Sequence, residues 1–142
     1  MDPHTTSAGA IARHEIANVL HTYTEIADRK DVDAAVALLG SARVAFPAGA
    51  FSDAAGAAEF FGRLWADPVP HRHDVTNLVV HPGAADGLWL AAAHYTRWLL
   101  PDEPVLHTLG EYSLTVSSDD WAVRELTVTR TWTRAGHSAR TP

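Results

Sequence analysis

The chain has 142 residues, of which 46% are apolar and 20% charged, a composition typical of one globular domain large enough to bury its own core. It contains no cysteine, which excludes disulfides, thiolate metal sites and cysteine nucleophiles. The net charge of −6, without a cluster of Lys and Arg, argues against a nucleic-acid partner. No apolar stretch is long enough to span a membrane and no signal-peptide pattern is present, so we expect a cytoplasmic protein without a membrane partner.

A single domain is expected over residues 9–133, with a disordered N-terminus at 1–8 and a polar C-terminal tail at 134–142. The first part of this domain has helical periodicity. Apolar residues recur every three or four positions over about residues 9–30, which predicts a first helix with one buried stripe centred near Tyr23.

Three short elements are predicted next. They are a second helix at residues 32–39, capped by Asp31 or Asp33, a strand at 43–46, ended by Pro47, and a third helix through Phe60, Phe61, Leu64 and Trp65, capped by Ser52 or Asp53. Ser and Asp are expected at the caps because their side chains accept hydrogen bonds from the first free N–H groups of a helix.

Four longer strands follow, at residues 73–81, 88–100, 105–117 and 121–133. Short turns containing Pro, Gly or Asp separate them, so we expect an antiparallel meander. Three helices and a long sheet define an α+β fold. A strongly curved antiparallel sheet wrapped by helices forms a cone, and small-molecule pockets tend to form in such a mouth.

Two residues of the first long strand are candidates for chemistry. His73 and Asn77 are four positions apart, so they project from the same face of a regular strand, together with Val75 and Val79. An imidazole beside apolar neighbours can titrate near neutral pH and act as a general acid or base. We therefore predict that His73 moves a proton and that Asn77 binds the substrate.

Asp28 lies near the end of the first helix. It follows Tyr23 by five residues, which places it about 140° around the helix axis and off the apolar stripe. Helix periodicity alone therefore leaves this carboxylate in solvent or at the cap of the next helix.

Four short motifs occur in a fixed order. They are the run Ile16…Tyr23-x4-Asp28-Arg29-x-Asp31-x-Asp33, the strand start His73-x3-Asn77, Gly110-x-Tyr112 and the turn Asp120-Trp121. Together they resemble the SnoaL-like and scytalone dehydratase-like members of the nuclear-transport-factor-two-like superfamily, over roughly residues 10–133. The resemblance implies a cone-shaped α+β barrel. It also implies that Asp28 turns inward, because Asp28 and His73 match the carboxylate and histidine that scytalone dehydratase-like members use around a water or substrate hydroxyl.

The resemblance further implies a cofactor-independent acid/base enzyme, a cyclase, dehydratase or isomerase acting on a small apolar oxygenated natural-product intermediate such as a polyketide. In such an enzyme Asp28 would orient His73 or hold a water. Two positions depart from the family. Ala27 stands where the dehydratase has a tyrosine, and Phe46-Pro47 stands where ketosteroid isomerase has the Asp-Pro turn that supplies its base.

Five further residues are expected to contact the substrate. Tyr23 and His94 would position its oxygen atoms, because buried polar groups need hydrogen-bond partners that a bound molecule can supply. Phe61, Trp65 and Trp98 are candidate apolar walls.

Other polar residues are assigned no role in binding. His71 and His73 are two apart on a strand and can bind one zinc ion, but the spacing specifies no third ligand, so we expect no metal and no other cofactor. His107 and Glu111 share a face of a regular strand and are expected on the outer surface of the sheet. Arg130 is most simply an outward charge, although an arginine inside the cone could bind an anionic substrate.

Two other functions remain open. One is a non-catalytic ligand-binding or dimerisation module, which would show a shallow or filled cone with Asp28 and His73 in solvent. A weaker alternative is an epoxide hydrolase, which needs a water held between a carboxylate and an amide such as that of Asn77. The expected partners are a small-molecule substrate and, by the resemblance, a second copy of the chain that pairs through the exposed face of the sheet.

Overall fold

Three helices pack on a curved, unclosed six-stranded sheet in the structure, a computed structural model that describes residues 6–134. The helices are α1 (Ser7–Arg29), α2 (Val32–Leu39) and α3 (Ala54–Leu64). The strands are β1 (Arg43–Phe46), β2 (Gly49–Phe51), β3 (His71–Pro82), β4 (Leu88–Leu99), β5 (Val105–Ser117) and β6 (Val123–Thr133). The predicted cone-shaped α+β fold is confirmed. The predictions for residues 1–5 and 135–142 lie outside the described residues.

The sheet is mixed, with the strand order β2-β1-β6-β5-β4-β3. Strands β3 to β6 form the predicted antiparallel meander, but β1 pairs with β6 in parallel. The expectation of a purely antiparallel sheet is therefore wrong at this edge. Here β1 also forms a hairpin with β2, which was not predicted. Pro47 does end β1, but it lies in a two-residue turn, and the chain pairs back on β1 as soon as that turn is complete.

The ends of α1 are set by local hydrogen bonds. Thr6 caps the helix, because its Oγ1 accepts the backbone N–H of Gly9 at 2.9 Å. Ser7 and Ala8 are therefore helical, and the expected disorder is wrong for these two residues. Lys30 ends the helix in the left-handed backbone region, with φ 56°, and begins the turn to α2.

Carboxylates cap both later helices. Asp31 accepts the backbone N–H of Ala34, and Asp53 accepts that of Gly56. Each prediction gave two candidates for the cap, and these two aspartates are the ones used.

The core lies between the helices and the sheet. The predicted stripe of α1 is buried, namely Ala12, Ile16, Leu20, Tyr23, Ile26 and Ala27. Phe60 and Phe61 of α3 pack against Phe46 and Phe51 with ring centroids 4.9–5.9 Å apart. Burial of such amphipathic faces provides most of the stability of helices in proteins. Among the helices of residues 6–134, none is both long and apolar enough to cross a membrane.

Four irregularities in the pairing of β3 to β6 interrupt the regular alternation of side chains. The register of β3 against β4 shifts between Thr76 and Val79, and Asn77 adopts a left-handed backbone with φ 58°. The register of β4 against β5 shifts after Arg97, which leaves His107 as an extra residue on β5. A bulge re-aims side chains, so the alternation of a regular strand does not continue across these points.

The substitution Gly110→Ala tests the close packing of Tyr95 over β5. A Cβ atom at Gly110 would overlap both the Tyr95 ring and the backbone oxygen of Thr129. We expect the free energy of unfolding, measured by urea denaturation, to fall by about 1–3 kcal/mol. Gly62→Ala is the control, because this glycine is exposed on α3 with open space around it, and it should add about 0.5–1 kcal/mol. Equal effects of the two substitutions would contradict the packing.

Candidate active site

A cavity of about 390 Å³ opens between the helices and the sheet. Its apolar lining consists of Phe46, Pro47, Ala48, Leu64, Trp65, Leu99 and Val128. Its polar lining consists of Tyr23, Asp67, His71, His73, Tyr95, Arg97, His107, Thr108, Tyr112 and Arg130. Apolar walls with convergent polar groups are the usual features of a small-molecule site.

Asp28 and His73 are in direct contact at one side of this cavity. Oδ1 of Asp28 accepts two hydrogen bonds from His73, one from the backbone N–H and one from Nδ1, each at 2.8 Å. The histidine side chain is 9% exposed and the aspartate side chain 21% exposed. The contact between these two residues is therefore present as predicted, while their catalytic role stays a prediction.

The hydrogen bonds determine the form of His73. A carboxylate oxygen only accepts, so Nδ1 carries the proton of the ring and donates it to Asp28. Burial lowers the pKa of His73, and the hydrogen bond and charge of Asp28 oppose this effect. The neutral imidazole therefore keeps the lone pair of Nε2, the atom that can take a proton from a molecule in the cavity.

His71 is the opposite tautomer, with its proton on Nε2, and it makes different contacts. Its Nε2 donates to the backbone oxygen of Ala27 at 2.5 Å, and its Nδ1 accepts the Nε–H of Arg97 at 3.1 Å. Burial lowers the pKa of His71 to about 4, and the neighbouring His73 contributes to the shift. His71 is therefore neutral at pH 7, and it positions the guanidinium of Arg97.

Three buried tyrosines bring hydroxyl groups to the same cavity. Tyr23, Tyr95 and Tyr112 all line it, with Tyr95 and Tyr112 stacked at a centroid distance of 4.6 Å and Tyr23 edge-on to Tyr112 at 6.0 Å. Burial raises the pKa of each hydroxyl, so all three are protonated at pH 7. None of the three hydroxyls bonds to another residue in the range 6–134. Buried hydroxyls need partners, which a bound molecule or water in the cavity can provide.

Asp28, His71 and His73 also have ligand atoms within 4.8 Å of one another, a distance that suits a metal ion. The hydrogen bonds of these residues, however, leave few ligand atoms free to bind a metal ion. Both nitrogens of His71 and Nδ1 of His73 already have partners, and the Arg97 guanidinium beside His71 opposes a cation. The arrangement is that of a hydrogen-bonded network, and the expectation of no metal stays a prediction.

The cavity includes some of the predicted substrate-binding residues and excludes others. Tyr23 and Trp65 line it, and Phe61 lies directly behind them, with its ring centroid 6.5 Å from Tyr23 and 4.6 Å from Trp65. Asn77 is exposed and lies outside the cavity, because the bulge in β3 turns it away from the face of His73.

His94 and Trp98 also lie outside the cavity, which corrects their predicted placement. Both are on β4, where the inward positions belong to Tyr95 and Arg97. The even-numbered residues alternate with these and project from the outer face of the sheet, where His94 is exposed.

Two predictions of outward side chains are wrong. His107 is buried and lines the cavity, because the bulge at this residue separates its direction from that of Glu111, which is exposed. Arg130 lines the cavity too. The motif Gly110-x-Tyr112 is a partial sequence signal for this arrangement, since Gly110 pairs with both Tyr95 and Arg130 in the sheet.

Solved structures share this fold, although no family model matches the sequence and no curated protein matches it closely. The chain is similar to the β subunit of a candidate aromatic-ring-hydroxylating dioxygenase from Novosphingobium aromaticivorans, with 16% identity and a TM-score of 0.75 over 90% of this chain and 94% of that one. It is similar to a candidate scytalone dehydratase from the same organism, with 13% identity and a TM-score of 0.74 over 92% and 91%. It is also similar to ActVI-ORFA from Streptomyces coelicolor, with 16% identity and a TM-score of 0.69 over 83% and 96%. The chain therefore shares the fold of these solved structures, which is the cone-shaped α+β fold that the resemblance implied.

The substitution His71→Gln tests the neutral state of His71. Unfolded His71 takes up a proton near pH 6.5 whereas the folded residue resists it until about pH 4, so acidification across this interval favours the unfolded state. This residue alone should lower the free energy of unfolding by up to about 3 kcal/mol between pH 6.5 and pH 4. Glutamine keeps a donor and an acceptor but does not titrate, so urea denaturation should show a flatter pH dependence. An unchanged slope would contradict the assignment.

Proposed function

We propose that the protein is a cofactor-independent enzyme that moves a proton on a small oxygenated molecule, in a cyclisation, dehydration or isomerisation. One observation carries the proposal. The partly buried pair of Asp28 and His73, joined at 2.8 Å, leaves Nε2 of the imidazole as the basic atom of a residue that lines a cavity of about 390 Å³.

The first step is removal of a proton from a carbon next to a carbonyl group. Nε2 of His73 takes the proton, and the carboxylate of Asp28 stabilises the imidazolium that forms. The electron pair of the C–H bond moves to the carbonyl oxygen, where the hydroxyls of Tyr23, Tyr95 and Tyr112 can donate hydrogen bonds to the developing enolate. The raised pKa of these hydroxyls keeps them protonated as donors.

The second step returns the proton and determines the product. In a dehydration, the enolate expels a hydroxyl group from the next carbon, and the imidazolium of His73 protonates it to water. In an isomerisation, the imidazolium returns the proton to another carbon of the same molecule. In a cyclisation, the enolate carbon attacks a second carbonyl group, and the imidazolium protonates the resulting alkoxide. Each route regenerates the neutral imidazole without a cofactor.

The same geometry supports an enzyme over the alternatives. A module without chemistry would have a shallow or filled cone with Asp28 and His73 in solvent, whereas this pair is largely buried beside an open cavity. An epoxide hydrolase would need an amide near the carboxylate to hold the water, and Asn77 lies outside the cavity.

The substitutions His73→Ala and Asp28→Asn test this proposal. The protein would be mixed with a panel of small β-hydroxy ketones in D2O, and NMR would follow deuterium incorporation next to the carbonyl and loss of water. We expect each substitution to reduce the rate by about 10² or more, because it removes the base or the group that orients it. His94→Ala is the control, since this histidine is exposed on the outer face of β4 and should leave the rate unchanged. Wild-type rates in both cavity variants would refute the mechanism.

We also propose that two copies of the chain pair through the outer face of the sheet. Four large apolar side chains are exposed on its strands, namely Val79, Leu90, Leu109 and Trp132. Exposed apolar groups of this kind mark interaction surfaces when they share one face.

Substitutions on this face test the pairing. Leu90→Glu and Trp132→Glu should each convert a dimer to a monomer in sedimentation velocity, because a buried unpaired carboxylate opposes association. Ile11→Glu is the matched control, since Ile11 is an exposed apolar residue on α1 rather than on the sheet. A wild-type chain that sediments as a monomer would contradict the pairing.

A further inference from the structure

Arg97 and Arg130 bring two positive charges to one wall of the cavity. Arg97 lies on β4 and Arg130 on β6, with β5 between them, and both side chains line the cavity. Burial lowers the pKa of Arg97, and the charge of Arg130 acts in the same direction. Guanidinium groups nevertheless stay charged in proteins, so the two charges repel each other in a partly buried site.

Neither guanidinium has a carboxylate within 4.0 Å among residues 6–134. Arg97 instead donates from Nε to His71 at 3.1 Å and from Nη1 to His107 at 3.2 Å, so that both acceptors are imidazole nitrogens. Asp67 also lines the cavity, but its carboxylate accepts the backbone N–H of Val69 at 2.8 Å.

Most of the donors on this wall have no partner in the described chain. A guanidinium has five N–H groups. Two of those of Arg97 are used, and Arg130 forms no hydrogen bond to any residue between 6 and 134. The cavity therefore presents up to eight N–H donors without a partner among the described residues, and two charges that Asp67 offsets only from beyond 4.0 Å.

Three other arginines have carboxylate partners. Arg43, Arg72 and Arg124 are on the surface, and each forms an ion pair with a carboxylate at 3.0–3.2 Å. Water can solvate those surface charges, whereas the two cavity arginines are less accessible to water and have no carboxylate within 4.0 Å among the described residues. Partly buried charges without a counter-charge in contact are costly, and an anion bound at this wall would reduce that cost.

We propose that Arg97 and Arg130 bind a carboxylate group of the substrate, so that the protein acts on small carboxylic acids that carry a second oxygen group. Guanidinium groups bind carboxylates through two parallel hydrogen bonds, which fixes orientation as well as charge. The inference rests on the proposed acid/base function, because the second oxygen group is the one that the tyrosine hydroxyls would hold while His73 moves the proton.

Binding of an anion at this wall has a consequence for the base. The positive charge of Arg97 contributes to the lowered pKa of His73. A carboxylate on Arg97 offsets that charge, so its binding should raise the pKa of His73 and make Nε2 a stronger base when substrate is present.

Sodium benzoate and its neutral isostere benzamide are suitable probes, with inorganic phosphate as a third. Isothermal titration calorimetry should show that benzoate binds the wild-type protein at least about tenfold more tightly than benzamide, because only benzoate pairs with the guanidinium groups. Arg97→Gln and Arg130→Gln should each weaken benzoate binding about tenfold or more. NMR titration of His73 should show a higher pKa with benzoate than without it.

Three control variants distinguish loss of the anion site from loss of folding and from loss of the acid/base mechanism. Arg124→Gln removes a surface arginine and should leave benzoate binding unchanged. If Arg97→Gln disturbs folding through His71, Arg130→Gln still tests the site, because Arg130 forms no hydrogen bond with any residue that the structure describes. His73→Ala should retain benzoate binding, so loss of the acid/base mechanism and loss of the anion site are distinguishable.

Three results would overturn the inference. They are the absence of benzoate binding to the wild-type protein, equal affinities for benzoate and benzamide, and wild-type affinity in Arg130→Gln. Tighter binding of inorganic phosphate than of benzoate would overturn the choice of a carboxylate and indicate a phosphorylated substrate.

Discussion

The end of α1 holds the start of β3, and the rest of the candidate site depends on this attachment. Oδ1 of Asp28 accepts both the backbone N–H and the ring N–H of His73, and the backbone oxygen of Ala27 accepts from His71. The ammonium group of Lys30 donates to the backbone oxygens of Asp67 and Val69, just before β3 begins. Because β3 is an edge strand, its free N–H at His73 needs a partner, and the carboxylate that meets this need also fixes the imidazole.

This attachment also sets the electrostatics of the cavity. His71 must be neutral to accept from Arg97 while it donates to Ala27, and burial keeps it so. Arg97 in turn disfavours protonation of His73, which Asp28 opposes. His73 therefore lies between the carboxylate of Asp28, which it contacts, and the guanidinium of Arg97, which its neighbour His71 binds. Because the site is poorly accessible to water, the carboxylate of Asp28 and the guanidinium of Arg97 both act strongly on His73. The basicity of Nε2 therefore depends on the balance of these two charges.

The sequence predicts the regular parts of this arrangement and fails where the backbone is irregular. The stripe of α1, the caps and the meander follow from periodicity and side-chain chemistry. Asn77 and His107 were misplaced because bulges re-aim them, and nothing local in the sequence indicates where a register shifts. Asp28 is a different case, since helix periodicity correctly places it off the buried stripe. Its contact with His73 depends on where β3 passes the helix end, which family resemblance implied and periodicity could not.

Two local features of β5 also contribute to the site. The absence of a side chain at Gly110 lets the ring of Tyr95 lie across β5, where it stacks on Tyr112. The extra residue in β5 turns His107 inward to meet Arg97. Regular alternation would point His107 to the outer face, because its neighbour Thr108 already faces the cavity. The glycine and the bulge of β5 therefore both bring polar groups to the cavity, whereas the bulge of β3 turns Asn77 away from it.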